Sequence, residues 1–420
     1  MSEPEPRVYL FTETYPFTGP DDPFLKPEVR AVGRSMNVIL IPTRVCSGSS
    51  SFLPDRVTCD RRLSDYTAQV FVRVWSLLRA IVLPSLYVEL AHQSPHSLNP
   101  RAVVTVLTRL ARALAIENWV RRNLLPERPE QPSIIYSWWS SATAYGLARA
   151  LNSSGVPFVT RAHGYDLYAE QERVGFVPFQ RQVIARADAV YSASHAGADY
   201  LCSAYPDLAA KIATAYLGID GPNELGQPSA DGTMQIVSCS SLVSVKRVDL
   251  LAEALGVLAT STPFVEFHWT HIGAGPLAEE LAARVASLGN LRGRVTFLGY
   301  LQPEDVRRWY SEHPIDLFVN VSESEGLPVS LMEAASFGIP MLATAVGGTP
   351  EIVRDGAGIL IPVDSNPQQV AEAIAGYLRL DPADKDTMRA ASRARFESDF
   401  RADTNYGAFA GLLSEMAHAS

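Results

Sequence analysis

Short apolar runs, each followed by a polar or glycine-containing turn and then a longer segment with apolar residues three and four apart, recur along most of the chain. That alternation predicts βαβ units feeding parallel sheets. In the first half the expected strands are Val8–Phe11, Val38–Ile41, Ile134–Ser137, Phe158–Thr160 and Ala189–Ser192. In the second half they are Gln235–Cys239, Glu266–Ile272, Val295–Leu298, Leu317–Asn320, Met341–Ala343 and Gly358–Leu360. Between the two series, Ile219–Gly232 is rich in Gly, Pro and Asp and almost without apolar residues, which marks a domain boundary. The expected organisation is a first domain over residues 1–219, a second over 220–395, and a C-terminal segment 396–420 whose helical stretch from Tyr406 to Met416 crosses back onto the first. Each domain reads as a doubly wound α/β unit, whose ligands bind outside the carboxyl ends of the strands. A cleft between two such units is the expected active site.

The segment Leu317 to Ala334 reads as strand, loop and helix, with Pro328 at the first helical position, where its missing N–H costs nothing. The amides of Val329, Ser330 and Leu331 then lie at an open helix start, an anion site suited to a diphosphate. Glu325 falls in the loop before it, beside Gly326 and Leu327. Glu333 lies about 7.5 Å further along the helix axis. The two carboxylates therefore reach opposite sides of a bound diphosphate, and each can accept hydrogen bonds from two neighbouring hydroxyls. Two glutamates at this spacing are by themselves most often surface groups. Three neighbouring loops carry the argument further.

Ser240-Ser241-Leu-Val-Ser-Val-Lys246-Arg247 follows the first strand of the second domain, and its two adjacent cations suit a departing diphosphate. His271-Ile-Gly273-Ala-Gly275-Pro follows the next strand, where glycines permit close backbone approach. Val346-Gly347-Gly348-Thr-Pro350-Glu351 follows a third and again opens a helix with proline. All lie at strand carboxyl ends of one domain.

From about Met234 to Asp364 these segments, in this order, resemble the retaining glycosyltransferases of family 4 (group 1), which have the two-domain GT-B fold. The resemblance implies that Lys246 contacts the donor diphosphate, Glu325 the sugar hydroxyls and Glu333 the ribose, while the backbone at Gly299-Tyr300 reads the base. The family's usual arginine is replaced by Ser241, and Arg247 is the candidate to supply its charge. In the first domain Thr160-Arg-Ala-His163-Gly-Tyr-Asp166 matches the family's histidine motif, with His163 against the face of the transferred sugar. The loop that contains Gly19 resembles the one that meets donor and acceptor. The expected activity is retaining transfer of a sugar from a nucleotide-diphosphate donor to a glycan, lipid-linked or small-molecule acceptor, by same-face substitution. No Asp-x-Asp lies beside the donor loops, so neither metal nor other cofactor is expected. The alternatives are a nucleotide-sugar epimerase of similar fold and a non-catalytic partner subunit with a degenerate donor site.

Composition, 47% hydrophobic and 19% charged, fits a globular chain, and no stretch approaches the roughly 20 uncharged apolar residues that span a bilayer. The N-terminal residues lack a secretory signal, and four cysteines without a C-x-x-C pair favour the reducing cytoplasm and argue against a structural zinc. A net charge of −9 gives nucleic acid no general attraction. Residues 61–128 depart from that balance, with ten arginines against four acids among apolar residues at helical spacing. The simpler expectation is ordinary packing helices with arginines on the wet face. The alternative is an interfacial surface that brings the chain to lipid-linked acceptors on the inner face of an anionic membrane.

Overall fold

The structure, a computed structural model, describes residues 5–17, 22–45, 52–93, 99–127, 131–152, 154–262 and 266–419. Gly19 lies outside the described residues. The chain forms two compact units, Met1–Gly218 with Ala402–Ser420, and Ile219–Arg401.

In the first unit, seven strands are β1 (Arg7–Thr12), β2 (Asn37–Pro42), β3 (Val57–Cys59), β4 (Ser133–Ser137), β5 (Phe158–Ala162), β6 (Ala189–Ser192) and β7 (Ile212–Thr214). They lie in the order β3-β2-β1-β4-β5-β6-β7, each neighbouring pair parallel. Every residue of β4 and β5 is buried, as expected where helices cover both faces of a parallel sheet. β3 and β7 escaped the sequence reading. Each has three residues at a sheet edge, too few to show a pattern of its own.

The sheet's order reverses between β1 and β4, so the loops after these strands flank a topological switch point. Beneath it, the fully buried Arg161 of β5 donates from Nη1 to Glu28 Oε2 at 2.7 Å, and the Tyr136 hydroxyl donates to Glu28 Oε1 at 2.7 Å. Arg161 Nη2 also donates to the carbonyls of Ala215 and Tyr216, at 2.7 and 3.2 Å, and the guanidinium lies 4.4 Å from the Phe409 ring centre. Phe409 belongs to the helix Ala402–His418, which packs on the helix Asp22–Val32 and on β4. Residues 396–401, assigned above to the returning segment, instead complete the helix Pro382–Asp399 and its exit in the second unit.

In the second unit the strands are β8 (Met234–Cys239), β9 (Phe267–Ile272), β10 (Val295–Gly299), β11 (Leu317–Asn320), β12 (Met341–Thr344) and β13 (Gly358–Ile361). Their order is β10-β9-β8-β11-β12-β13, again parallel, with the switch point between β8 and β11. The loops that carry Lys246 and Glu325 are the two that flank it.

Candidate functional site

The loop after β8 and the loop after β11 are tied together before any side chain is considered, because the Glu323 amide donates to the Val245 carbonyl at 2.8 Å. Lys246 ends the short turn Ser244–Lys246, and its Nζ donates to Glu325 Oε1 at 2.6 Å. Asn320 Nδ2, at the end of β11, donates to the same oxygen at 3.3 Å. Glu325 is 7% exposed, so a carboxylate that sequence statistics place on the surface is here enclosed and neutralised. Its Oε2 receives no hydrogen bond among the described residues and is the atom left to meet a ligand hydroxyl.

Gly347 explains why this loop keeps its shape. It has φ +49°, and a Cβ built there would stand 1.8 Å from the Glu325 carbonyl oxygen. The Gly348 amide then donates to the Gly326 carbonyl at 2.8 Å, so the turn after β12 is laid directly on the backbone of the Glu325 loop. Gly273 and Gly275 act in the same way one strand over. A Cβ on Gly273 would stand 1.8 Å from the Ser240 carbonyl oxygen, and one on Gly275 2.4 Å from that of Leu242. Their missing side chains admit the backbone of the neighbouring loop, the close approach that glycine was expected to permit there.

The helix that follows Glu325 spans Val329–Ser336, with Pro328 as its N-cap rather than its first residue. The Leu331 amide donates to the Pro328 carbonyl at 3.1 Å, so of the three amides expected to be open, those of Val329 and Ser330 remain without an acceptor among the described residues. The side chains of Leu327 and Leu331 are in the core, which leaves only the Leu327 backbone for a ligand.

Glu333 projects from this helix into a buried environment of its own. Burial raises its pKa to about 7, against the lowering influence of Arg307, whose Nη1 is 3.7 Å from Glu333 Oε1, and with a further upward push from Glu304. Sequence reasoning missed Arg307. It comes from the helix Pro303–Glu312 that follows β10, and nothing in the local pattern pairs it with Glu333. Tyr300, at the mouth of the same loop, is exposed, and its hydroxyl donates to Gln302 Oε1 at 3.2 Å.

Arg247 does not stand where a spare cation would. Its backbone is left-handed, φ +46°, and its guanidinium donates to the carbonyls of Val321, Val363 and Ser322 at 2.8, 2.7 and 3.4 Å. It buttresses the exits of β11 and β13, so the charge expected of it in place of the arginine missing at Ser241 is spent on backbone. Ser241 itself is exposed.

In the first unit, His163 follows β5 and lies between Trp138, tilted at 35° to it, and Trp139, edge-on at 62°, with ring centres 4.6 and 4.7 Å away. Neither ring nitrogen has a hydrogen-bond partner among the described residues, although both are shielded from solvent. Asp166 holds the turn: Oδ1 accepts from the amides of His163 and Gly164 at 2.8 and 3.1 Å, and Oδ2 from that of Ser140 at 2.9 Å. Burial drives the Asp166 pKa up, but these bonds and the adjacent His163 ring outweigh it, and the net shift is downward. Asp166 is therefore the positioning residue, and the imidazole it places is the one with bonding capacity to spare.

Two parallel doubly wound units with loops gathered at their switch points are the GT-B architecture. The Anabaena protein HepE, solved in complex with UDP and glucose, matches with a TM-score of 0.63 at 17% identity, covering 97% of this chain and 99% of that one. The E. coli trehalose-6-phosphate structure bound with UDP-2-fluoro glucose matches with a TM-score of 0.69 at 12% identity, covering 97% and 99%. Residues 233–379 match the family model for glycosyl transferases group 1, and residues 72–221 the model for glycosyltransferase family 4. The chain belongs to this family of glycosyltransferases. It is 28% identical over 218 residues to the amylovoran biosynthesis glycosyltransferase AmsK of Erwinia amylovora, 50% of this chain and 52% of that protein. It is 26% identical over 267 residues to the putative colanic acid biosynthesis glycosyltransferase WcaL of Escherichia coli K12, 60% of this chain and 63% of that protein. The chain thus spans between about half and two-thirds of these relatives.

Proposed function

We propose that the chain is a retaining glycosyltransferase that moves a sugar from a nucleoside diphosphate to a hydroxyl acceptor in the assembly of a polysaccharide or related glycoconjugate. The observation that carries this reading is the Lys246–Glu325 pair beside the open amides of Val329 and Ser330, at the switch point of the second unit. HepE was solved with UDP, which makes uridine diphosphate sugars the first donors to try.

In this reading the diphosphate lies on the Val329 and Ser330 amides, at the positive end of the helix dipole, with Lys246 alongside. Glu325 Oε1 is anchored by Lys246 and Asn320, so Oε2 accepts from hydroxyls of the transferred sugar and fixes its ring. Glu333, whose pKa burial raises to about 7, accepts from the ribose in its ionised form. The bond from the anomeric carbon to the diphosphate oxygen breaks with its electron pair on the diphosphate. The acceptor oxygen bonds the anomeric carbon from the same face, and its proton passes to the departing diphosphate. Lys246 and the amides stabilise the charge that grows on the leaving group, which is where electrostatic catalysis has its largest effect. Glu325 acts by orientation and is not a proton acceptor in this scheme.

The test is the product. With a UDP-α-sugar and an acceptor glycan, proton NMR of the new linkage should show the α-configuration, and Glu325→Ala should abolish transfer while the fold remains. A β-linked product would refute the retaining assignment. Conversion of the sugar itself, without acceptor, would make the chain an epimerase.

A further inference from the structure

The helix Val70–Val82 is inverted relative to an ordinary packing helix. The side chains it buries are small, Val72, Ser76 and Ala80, whereas Phe71 and Trp75 are each 69% exposed and Leu78 and Val82 more than half exposed. Phe71, Trp75, Leu78 and Val82 stand at steps of four, three and four, on one face. The next helix, Pro84–His92, buries Leu86 and exposes Tyr87 and Val88. The expectation of ordinary packing helices holds for Pro100–Trp119, where Val106, Leu110 and Leu114 are buried, and fails for residues 70–92.

Charge on these two helices is one-sided. Arg73 and Arg79 are exposed, while the acid, Glu89, is turned inward, where Oε1 accepts from the Phe179 amide at 2.9 Å and Oε2 from Gln182 Nε2 at 3.0 Å. The face presented to solvent is therefore large and aromatic, with Arg79 at its flank, while Arg73 stands on the opposite side of the helix. Beneath it, within the first unit, lies a cavity of about 710 Å³ whose walls include Leu77 and Ala111 and whose charged lining is Arg44, Arg73 and Arg112. Glu13 pairs with Arg44 and Arg112, at 3.0 and 3.6 Å, while Arg73 Nε donates to the Thr67 carbonyl at 2.9 Å, so among the described residues three guanidinium groups line the cavity against one neighbouring carboxylate. Cationic charge in excess inside a partly apolar cavity favours an anionic occupant.

We propose that the helices Val70–Val82 and Pro84–His92 dock the chain on the surface of an anionic bilayer, and that the cavity beneath them receives the phosphate of a lipid from it. Among the described residues no single helix is long and apolar enough to span a membrane. The two helices pass that test only together and are bent by 64°. Leu86 and Ala80 hold them to the core of the first unit, so they lie on the bilayer instead of crossing it. Trp and Tyr at the rim suit the headgroup region, and the arginines suit its negative potential. That the lipid is also the sugar acceptor rests on the transferase reading above; the docking does not.

Co-flotation of the full chain with vesicles tests this, comparing phosphatidylcholine alone with equal parts phosphatidylcholine and phosphatidylglycerol. The chain should float with the anionic vesicles, less so as salt is raised, and Phe71→Ser with Trp75→Ser should lower partitioning at least about tenfold. Monomeric dihexanoyl phosphatidylglycerol should bind in calorimetry, and Arg112→Gln should weaken it about tenfold. Thermal unfolding and vesicle-free hydrolysis of a UDP-sugar serve as controls for the Phe71/Trp75 variant. Lost flotation of the variant with hydrolysis intact is the result expected; in the wild type, absent flotation with hydrolysis present sinks the docking alone, and absent hydrolysis with flotation present sinks only the transferase reading. The proposal is overturned if the wild type ignores anionic vesicles, or if the variant floats like the wild type. It is also overturned if inorganic phosphate occupies the cavity as well as the lipid does, or if the wild type is a dimer that these substitutions make monomeric.

Discussion

Adding one methyl group at Gly347 should disable the candidate donor site without unfolding the chain. The Cβ of Gly347→Ala would lie 1.8 Å from the Glu325 carbonyl oxygen, whereas such contacts essentially never fall under 3.0 Å. The Glu325 loop must therefore withdraw by more than about 1 Å, a misplacement able to cost on the order of 100-fold in rate. The left-handed backbone at φ +49° adds about 1 kcal/mol of strain, too little to unfold a chain of this size. Because Glu325 Oε1 is held at 2.6 Å by Lys246, a shift of this size breaks the pair that orients the sugar. The assay is steady-state turnover of a UDP-sugar, with thermal unfolding measured alongside. Gly376→Ala is the matched control: it lies in the helix Pro367–Leu378 with nothing within 4 Å of the new methyl, and should be neutral or stabilising by about 0.5–1 kcal/mol. If Gly347→Ala retains turnover within about twofold of wild type, the coupling between this turn and Glu325 is wrong.

Glu333 makes binding pH-dependent. Its folded pKa, about 7, lies above the ordinary glutamate value of 4.5, so its protonated form stabilises the donor-free chain below pH 4.5 and that contribution is lost as pH rises through 7. If the ionised form is the one that accepts the ribose hydroxyls, affinity for a UDP-sugar, whose phosphates do not titrate there, should rise through pH 7 in calorimetry; Glu333→Gln should flatten the profile. Arg161→Met leaves the Glu28 carboxylate buried without its cation and should cost about 3–5 kcal/mol in chemical denaturation, while adding Glu28→Met should restore part of that loss. Since Lys246 and the helix amides meet the diphosphate in this scheme, turnover should survive EDTA. A requirement for a divalent cation in the same assay would show that they do not suffice.

The strands were legible because buried parallel strands are short apolar runs, and the loops after them were legible because glycine, proline and charge collect there. What the sequence could not supply was partnership across distance. Arg307 reaches Glu333 from a separate helix, and Asn320 reaches Glu325 from the end of its strand. The same limit misdirected the reading of Arg247, whose position beside Lys246 suggested a second phosphate contact although its guanidinium is occupied by three carbonyls. Helical spacing showed an apolar stripe on residues 70–82 but not which side faces out, because large apolar side chains are ordinarily the buried ones. Here the close packing is made by Val72, Ser76 and Ala80, and the stripe is left to solvent.

The central claim is that a nucleoside diphosphate sugar sits beside Lys246 and Glu325. Its most direct test is calorimetric titration of the folded 420-residue chain, wild type and Lys246→Ala, with UDP, GDP, ADP and dTDP sugars. The account predicts saturable one-to-one binding of at least one of them by the wild type, weakened by about tenfold or more in the variant. Absence of binding to every one of these sugars, or equal affinity of the two proteins, would contradict it.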